Sequence, residues 1–148
     1  MRNLTCCFLI LGLLFIISCR DANSVVAEMT QNSMQSNELN RIGSETDLVF
    51  PAESKAIHFS APERFVDPVW VAKVIMPASS YEVFKEAVLG KTTDNTVYHG
   101  ALADTTSWWK PTDVVLKKQY LADYQTFVNI VVSKEAEEFA VYIECVVY

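Results

Sequence analysis

The chain has 148 residues, a formal net charge of −6 and a hydrophobic fraction of 51%, and its positive mean hydropathy is concentrated in residues 1–18. That length suits one domain, and a pI of about 4.8 has the wrong sign for a phosphate partner, which excludes nucleic acid. A single long apolar run excludes a multi-span membrane protein.

Met1-Arg2-Asn3 supplies a short positive start, and residues 4–17 are almost continuously apolar. This is the n-region and h-region of a signal peptide, too short for a comfortable membrane span. Ile16-Ile17-Ser18-Cys19 follows: branched apolar residues, a small residue, then cysteine. The motif resembles the lipobox of bacterial lipoproteins. The resemblance implies that the Cys19 thiol receives diacylglycerol, that residues 1–18 are cut away with Cys6 and Cys7, and that the new amino group is acylated. Each buried methylene contributes about 0.8 kcal/mol, so two or more chains hold firmly where one is marginal. Loss of Arg2 makes the mature chain more acidic still, so its lipid must hold it against repulsion from anionic headgroups. Arg20, where a retention aspartate stands in the family's inner-membrane members, implies an outer-membrane anchor facing the periplasm. Cys145 is then the one remaining thiol, which precludes an intrachain disulfide. Its place in an apolar strand marks it as a small buried hydrophobe.

Residues 20–46 are polar and rich in Asn, Ser, Gln and Glu, with no repeating apolar face. They read as a flexible tether with a coil reach of about 30 Å, with a frayed helix over 24–34 as the alternative. A single domain is expected over 47–148. Leu48-Val49-Phe50 is a short apolar stretch, and residues 55–60 alternate with Ile57 and Phe59 inward and His58 outward. Residues 69–76 are apolar on both faces apart from Lys73, as in a central strand. Ser79-Ser80-Tyr81-Glu82 has the form of a capping box opening a helix. Tyr81, Phe84 and Val88 form its stripe, and Gly90 is expected as a left-handed cap.

Residues 91–107 show little periodicity and read as a loop, a length that points to function or mobility. Pro111 is expected to open a helical turn over 112–118. Two strands at 126–132 and 139–148, joined by an acidic connection, predict an antiparallel hairpin. Phe139, Val141, Ile143, Cys145 and Val147 face inward there, and Tyr120 and Tyr124 extend the preceding strand backwards. The expected class is α+β: an antiparallel sheet of four to five strands with one or two helices packed on one face.

No nucleophile elbow, phosphate loop or zinc-protease helix occurs, and neither His58 nor His99 has a second ligand at metal spacing. No cofactor, metal or catalytic residue is assigned. Asp94 and Asp104 flank the His99 loop, and with Ser107 they can be drawn as a hydrolytic trio on paper only. The Trp108-Trp109 pair is the most informative feature. Adjacent residues of a regular strand point to opposite faces, so one ring is expected in the core and the other outward. The order of lipobox, tether, capped helix, Trp-Trp-x-Pro and closing hairpin resembles small uncharacterised bacterial lipoproteins. It also has the size of periplasmic immunity and lysozyme-inhibitor lipoproteins. The expectation is a lipid-anchored envelope protein that binds a macromolecule without catalysis, with a basic protein as partner. Trp109, Tyr98, Asp94 and Asp104 are its candidate contacts. The alternatives are an envelope hydrolase built on His99, or a structural accessory of an envelope complex.

Overall fold

The computed structural model describes residues 26–29, 36–62, 68–93 and 101–148. In chain order these form strand β1 (Val26–Met29), helix α1 (Ser36–Thr46), strands β2 (Lys55–Pro62) and β3 (Val69–Pro77), helices α2 (Tyr81–Leu89) and α3 (Ala101–Thr105), and strands β4 (Val114–Leu121), β5 (Thr126–Glu135) and β6 (Glu138–Val147). The strands make one sheet in the order β1-β2-β3-β6-β5-β4, with every neighbouring pair antiparallel. The class is α+β, with five long strands and the short β1 at one edge.

Alternation along β3, β5 and β6 divides their side chains into two layers. On the first face Trp70, Val74, Met76, Val128, Ile130, Val141, Ile143 and Cys145 interlock, and Ile42 of α1 and Tyr81, Phe84 and Val88 of α2 join the same buried cluster. Val74, Val141 and Ile143 are fully buried, each worth about 1.5–3 kcal/mol relative to exposure. The second face carries Val69, Val71, Phe127 and Val146, against which Leu102 and Ala103 of α3 pack. Helical side chains therefore meet both faces rather than the one expected.

The closing hairpin is tighter than its acidic connection suggested. Glu135 pairs with Glu138 across Ala136-Glu137, and Ala136 takes φ 54°, the left-handed conformation that short hairpin turns need. Helix α2 forms where its stripe predicts, but its ends differ. A 3-10 turn over Ala78–Ser80 leads into it, and the Ala78 carbonyl accepts the Tyr81 N–H. No serine hydroxyl caps the helix, and Glu82 pairs with Lys85 at 2.9 Å. Gly90 stays right-handed at φ −66°, its N–H still bonded to the Glu86 carbonyl.

Further expectations are corrected. The segment over 112–118 enters a strand, because Val114, Leu116 and Lys118 pair with Ser133, Val132 and Ile130 of β5; Tyr120 belongs to this β4 and not to a backward extension of β5. Within residues 20–46, read as a tether, α1 docks on the sheet: Ile42 is 1% exposed, and the Tyr120 hydroxyl donates to the Thr46 carbonyl at 2.6 Å. Val26–Met29 is a strand paired to β2, not a frayed helix. Among the described residues no helix is long and apolar enough to cross a membrane.

Candidate functional site

The second face differs from the first in carrying polar groups. Alternation aims Lys73 of β3, Tyr142 and Glu144 of β6, and Asn129, Ser133 and Glu135 of β5 toward it. Lys73 Nζ donates to both Glu135 carboxylate oxygens at 2.9 and 3.0 Å. Tyr142 Oη donates to Glu135 Oε1 at 2.8 Å, and the Lys73 ammonium lies 4.9 Å from the Tyr142 ring centroid. Burial opposes the Lys73 charge, but the bonds to Glu135 and Tyr142 outweigh it and raise its pKa. Burial likewise works against the Glu135 carboxylate, yet Lys73 and Tyr142 hold it below the usual range. Burial pushes the Tyr142 hydroxyl up. Lys73 thus stays cationic, Glu135 anionic and Tyr142 neutral. Each shift moves away from the poised values that nucleophiles and general bases require, so the trio is an internally neutralised brace.

The segment after α3 covers this brace. Thr106 Oγ1 donates to the Leu102 carbonyl at 2.8 Å, and the Trp109 N–H bonds the Thr106 carbonyl at 3.0 Å. This compact turn, unlike a strand, directs both indoles to the sheet. Trp108 stacks on His58 with centroids 5.0 Å apart and planes 12° apart. Trp109 meets Tyr142 edge-on at 5.4 Å, and the two indoles lie 6.3 Å apart. His58, expected to face solvent, is half-buried beneath this layer. The expectation that one indole points outward is therefore corrected: both are half-buried.

Glu144 is a fully buried carboxylate, 0% exposed. Burial raises its pKa and Asp104 adds to the rise, against the opposing hydrogen bonds of the Ala103 and Leu102 amides and Asn129. Ala103 N–H reaches its Oε1 at 3.2 Å, while its Oε2 has no hydrogen-bond partner among the described residues.

Of the candidate contacts, Trp109 has Trp108 and Tyr142 as ring partners, and Asp104 is exposed on α3. Asp94, Tyr98, His99 and Cys19 lie outside the described residues. Ser107 is exposed. Among the described residues no three His, Cys, Asp or Glu side chains could share a metal ion. Composition alone did not single out Glu135, Tyr142 and Glu144; the available signal was parity, since Lys73 and Glu144 interrupt otherwise apolar strands.

Comparison with protein-family models, curated proteins and solved structures finds no match. Away from the braced face, an open cavity of about 350 Å³ lies beside α1, lined by Leu39, Gly43, Asp47, Leu48 and Phe50 among others. Gly43 is required there, because a Cβ would stand 2.7 Å from the Leu48 carbonyl oxygen.

Trp109→Ala is expected to cost about 2 kcal/mol, below the ~3–5 kcal/mol of a fully buried aromatic because the ring is half-covered. Urea unfolding followed by circular dichroism measures this; an unchanged midpoint would show that the indole does not brace the sheet.

Proposed function

We propose that the chain is a lipid-anchored envelope protein, held by Cys19 at the outer membrane and facing the periplasm, whose domain binds a macromolecule without catalysis. The lipobox Ile16-Ile17-Ser18-Cys19 at the end of an apolar h-region carries the anchored half of this reading. An acidic chain, at net charge −6, suits a basic protein partner, because complementary fields raise association rates. Exposed Asp104, the outer surface of Trp109, and Asp94 and Tyr98 from the intervening segment are its proposed contacts.

Labelled palmitate is expected to enter the parent chain and not Cys19→Ala; equal incorporation overturns the anchored reading. For the partner, the mature chain is immobilised and exposed to envelope extract. A basic protein retained by the parent and lost with Asp104→Asn supports the contact, whereas retention unchanged in both Asp104→Asn and Trp109→Ala removes those two residues from it.

A further inference from the structure

The strand directions bring one end of the sheet into a relation with the anchor that the sequence does not display. Val26 pairs with Pro62, Val69 with Val146, Thr126 with Val147 and Leu121 with Phe127. The start of β1, the end of β4 and the β4–β5 turn therefore share one end. Three large side chains are exposed there: Tyr124 at 88%, Tyr148 at 58% and Leu121 at 46%. Tyr124 is not on a loose tip. Asp123 Oδ1 accepts the Gln125 and Thr126 N–H groups at 2.7 Å each, and the Tyr148 N–H bonds the Gln125 carbonyl at 2.8 Å. A tied turn thus holds an aromatic ring in the open, at the same end of the sheet as Leu121 and Tyr148.

We propose that this end of the sheet is the membrane-facing surface, with Leu121, Tyr124 and Tyr148 resting in the headgroup region of the bilayer that holds Cys19. The proposal rests on the lipid-anchored reading. Cys19 precedes Val26 by seven residues, a span of at most about 25 Å even when fully extended. Six strands about 4.8 Å apart make the sheet end about as wide, so the start of β1 is held within about 25 Å of the headgroups and the rest of this end can reach them. Tyrosine suits the interface, its ring apolar and its hydroxyl wet. The β5–β6 turn, with Glu137 in it, lies at the opposite end, and strands of ten residues put it about 30 Å away.

The full chain, lipidated in its host, is reconstituted into phosphatidylethanolamine–phosphatidylglycerol vesicles with an environment-sensitive fluorophore on Tyr124→Cys or, separately, Glu137→Cys. The parent thiol does not compete, because Cys145 is buried and burial pushes its pKa up to about 12. Spin-labelled lipid is expected to quench position 124 several-fold more than position 137. Equal quenching in a chain whose mass shows lipid on Cys19 overturns this proposal and leaves the anchor standing. A chain without that lipid overturns both. Protection of position 124 only after envelope proteins are added assigns the surface to a protein partner and also overturns it.

Discussion

A chain cut back to Asp47 is expected to lose about 3–6 kcal/mol of stability relative to one beginning at Cys19, a large part of the ~5–15 kcal/mol that holds a single domain. The cut removes Ile42, 1% exposed, whose burial contributes about 1.5–3 kcal/mol, together with Leu39, which packs against the same cluster. It also removes the Thr46 carbonyl that accepts from Tyr120 at 2.6 Å. Tyr120 is fully buried, so losing that acceptor adds about 1–3 kcal/mol unless water enters. Urea unfolding, with dye binding as a check for exposed core, reads the result. Ile42→Ala in the longer chain isolates one contribution, expected at about 2–4 kcal/mol. Equal midpoints for the long and short chains would mean that α1 contributes nothing to the fold.

The contrast between α1 and α2 explains why one helix was legible and the other was not. Helix α2 writes Tyr81, Phe84 and Val88 at helical spacing, and all three are buried. Helix α1 buries Ile42 and Thr46 with Leu39 beside them, while Asn, Glu, Arg and Ser occupy most other positions. Its stability comes from tertiary partners on β2, β4 and β5, which no local window contains. Strand β4 was obscured differently: Pro111 is a plausible helix opener, and Lys117 and Lys118 dilute the alternation. Those lysines are what an edge strand carries to discourage further pairing. Strands β3, β5 and β6 were legible because they are central and rich in apolar residues, most of them buried.

Site residues follow the same logic. The Trp108-Trp109 pair drew notice by composition, but its consequence depends on His58 and Tyr142, which lie 50 and 34 residues away from Trp108 in a chain whose register only the sheet defines. Lys73 and Glu135 are paired across 62 residues. An interrupted apolar strand announces that a partner must exist, since a desolvated charge alone is costly, yet it does not say which acid supplies it.

Glu144 yields the second large effect, and its sign is unusual for a carboxylate. Burial raises its pKa above the ordinary 4.5, so over the interval between the two values the folded chain binds more protons than the unfolded one. Stability from this group is therefore complete below 4.5 and declines as pH rises through the raised value. Glu135 and Asp123, both held low, act oppositely: their contribution is present above the ordinary carboxylate values and disappears on acidification. The parent's profile combines both trends, and Glu144→Gln separates them. That variant keeps an oxygen for the Ala103 N–H and removes the charge. It is expected to be more stable than the parent at about pH 8, by on the order of 1 kcal/mol, the added cost of leaving a charged rather than a neutral buried group without a partner. Below about pH 4 the two should converge, because Glu144 is then mostly protonated in both states. Urea midpoints across that range test the sign. A variant less stable than the parent at neutral pH would mean that the ionised carboxylate earns more from the α3 amides than its burial costs, and that Glu144 is a fastener for α3 instead of a buried liability.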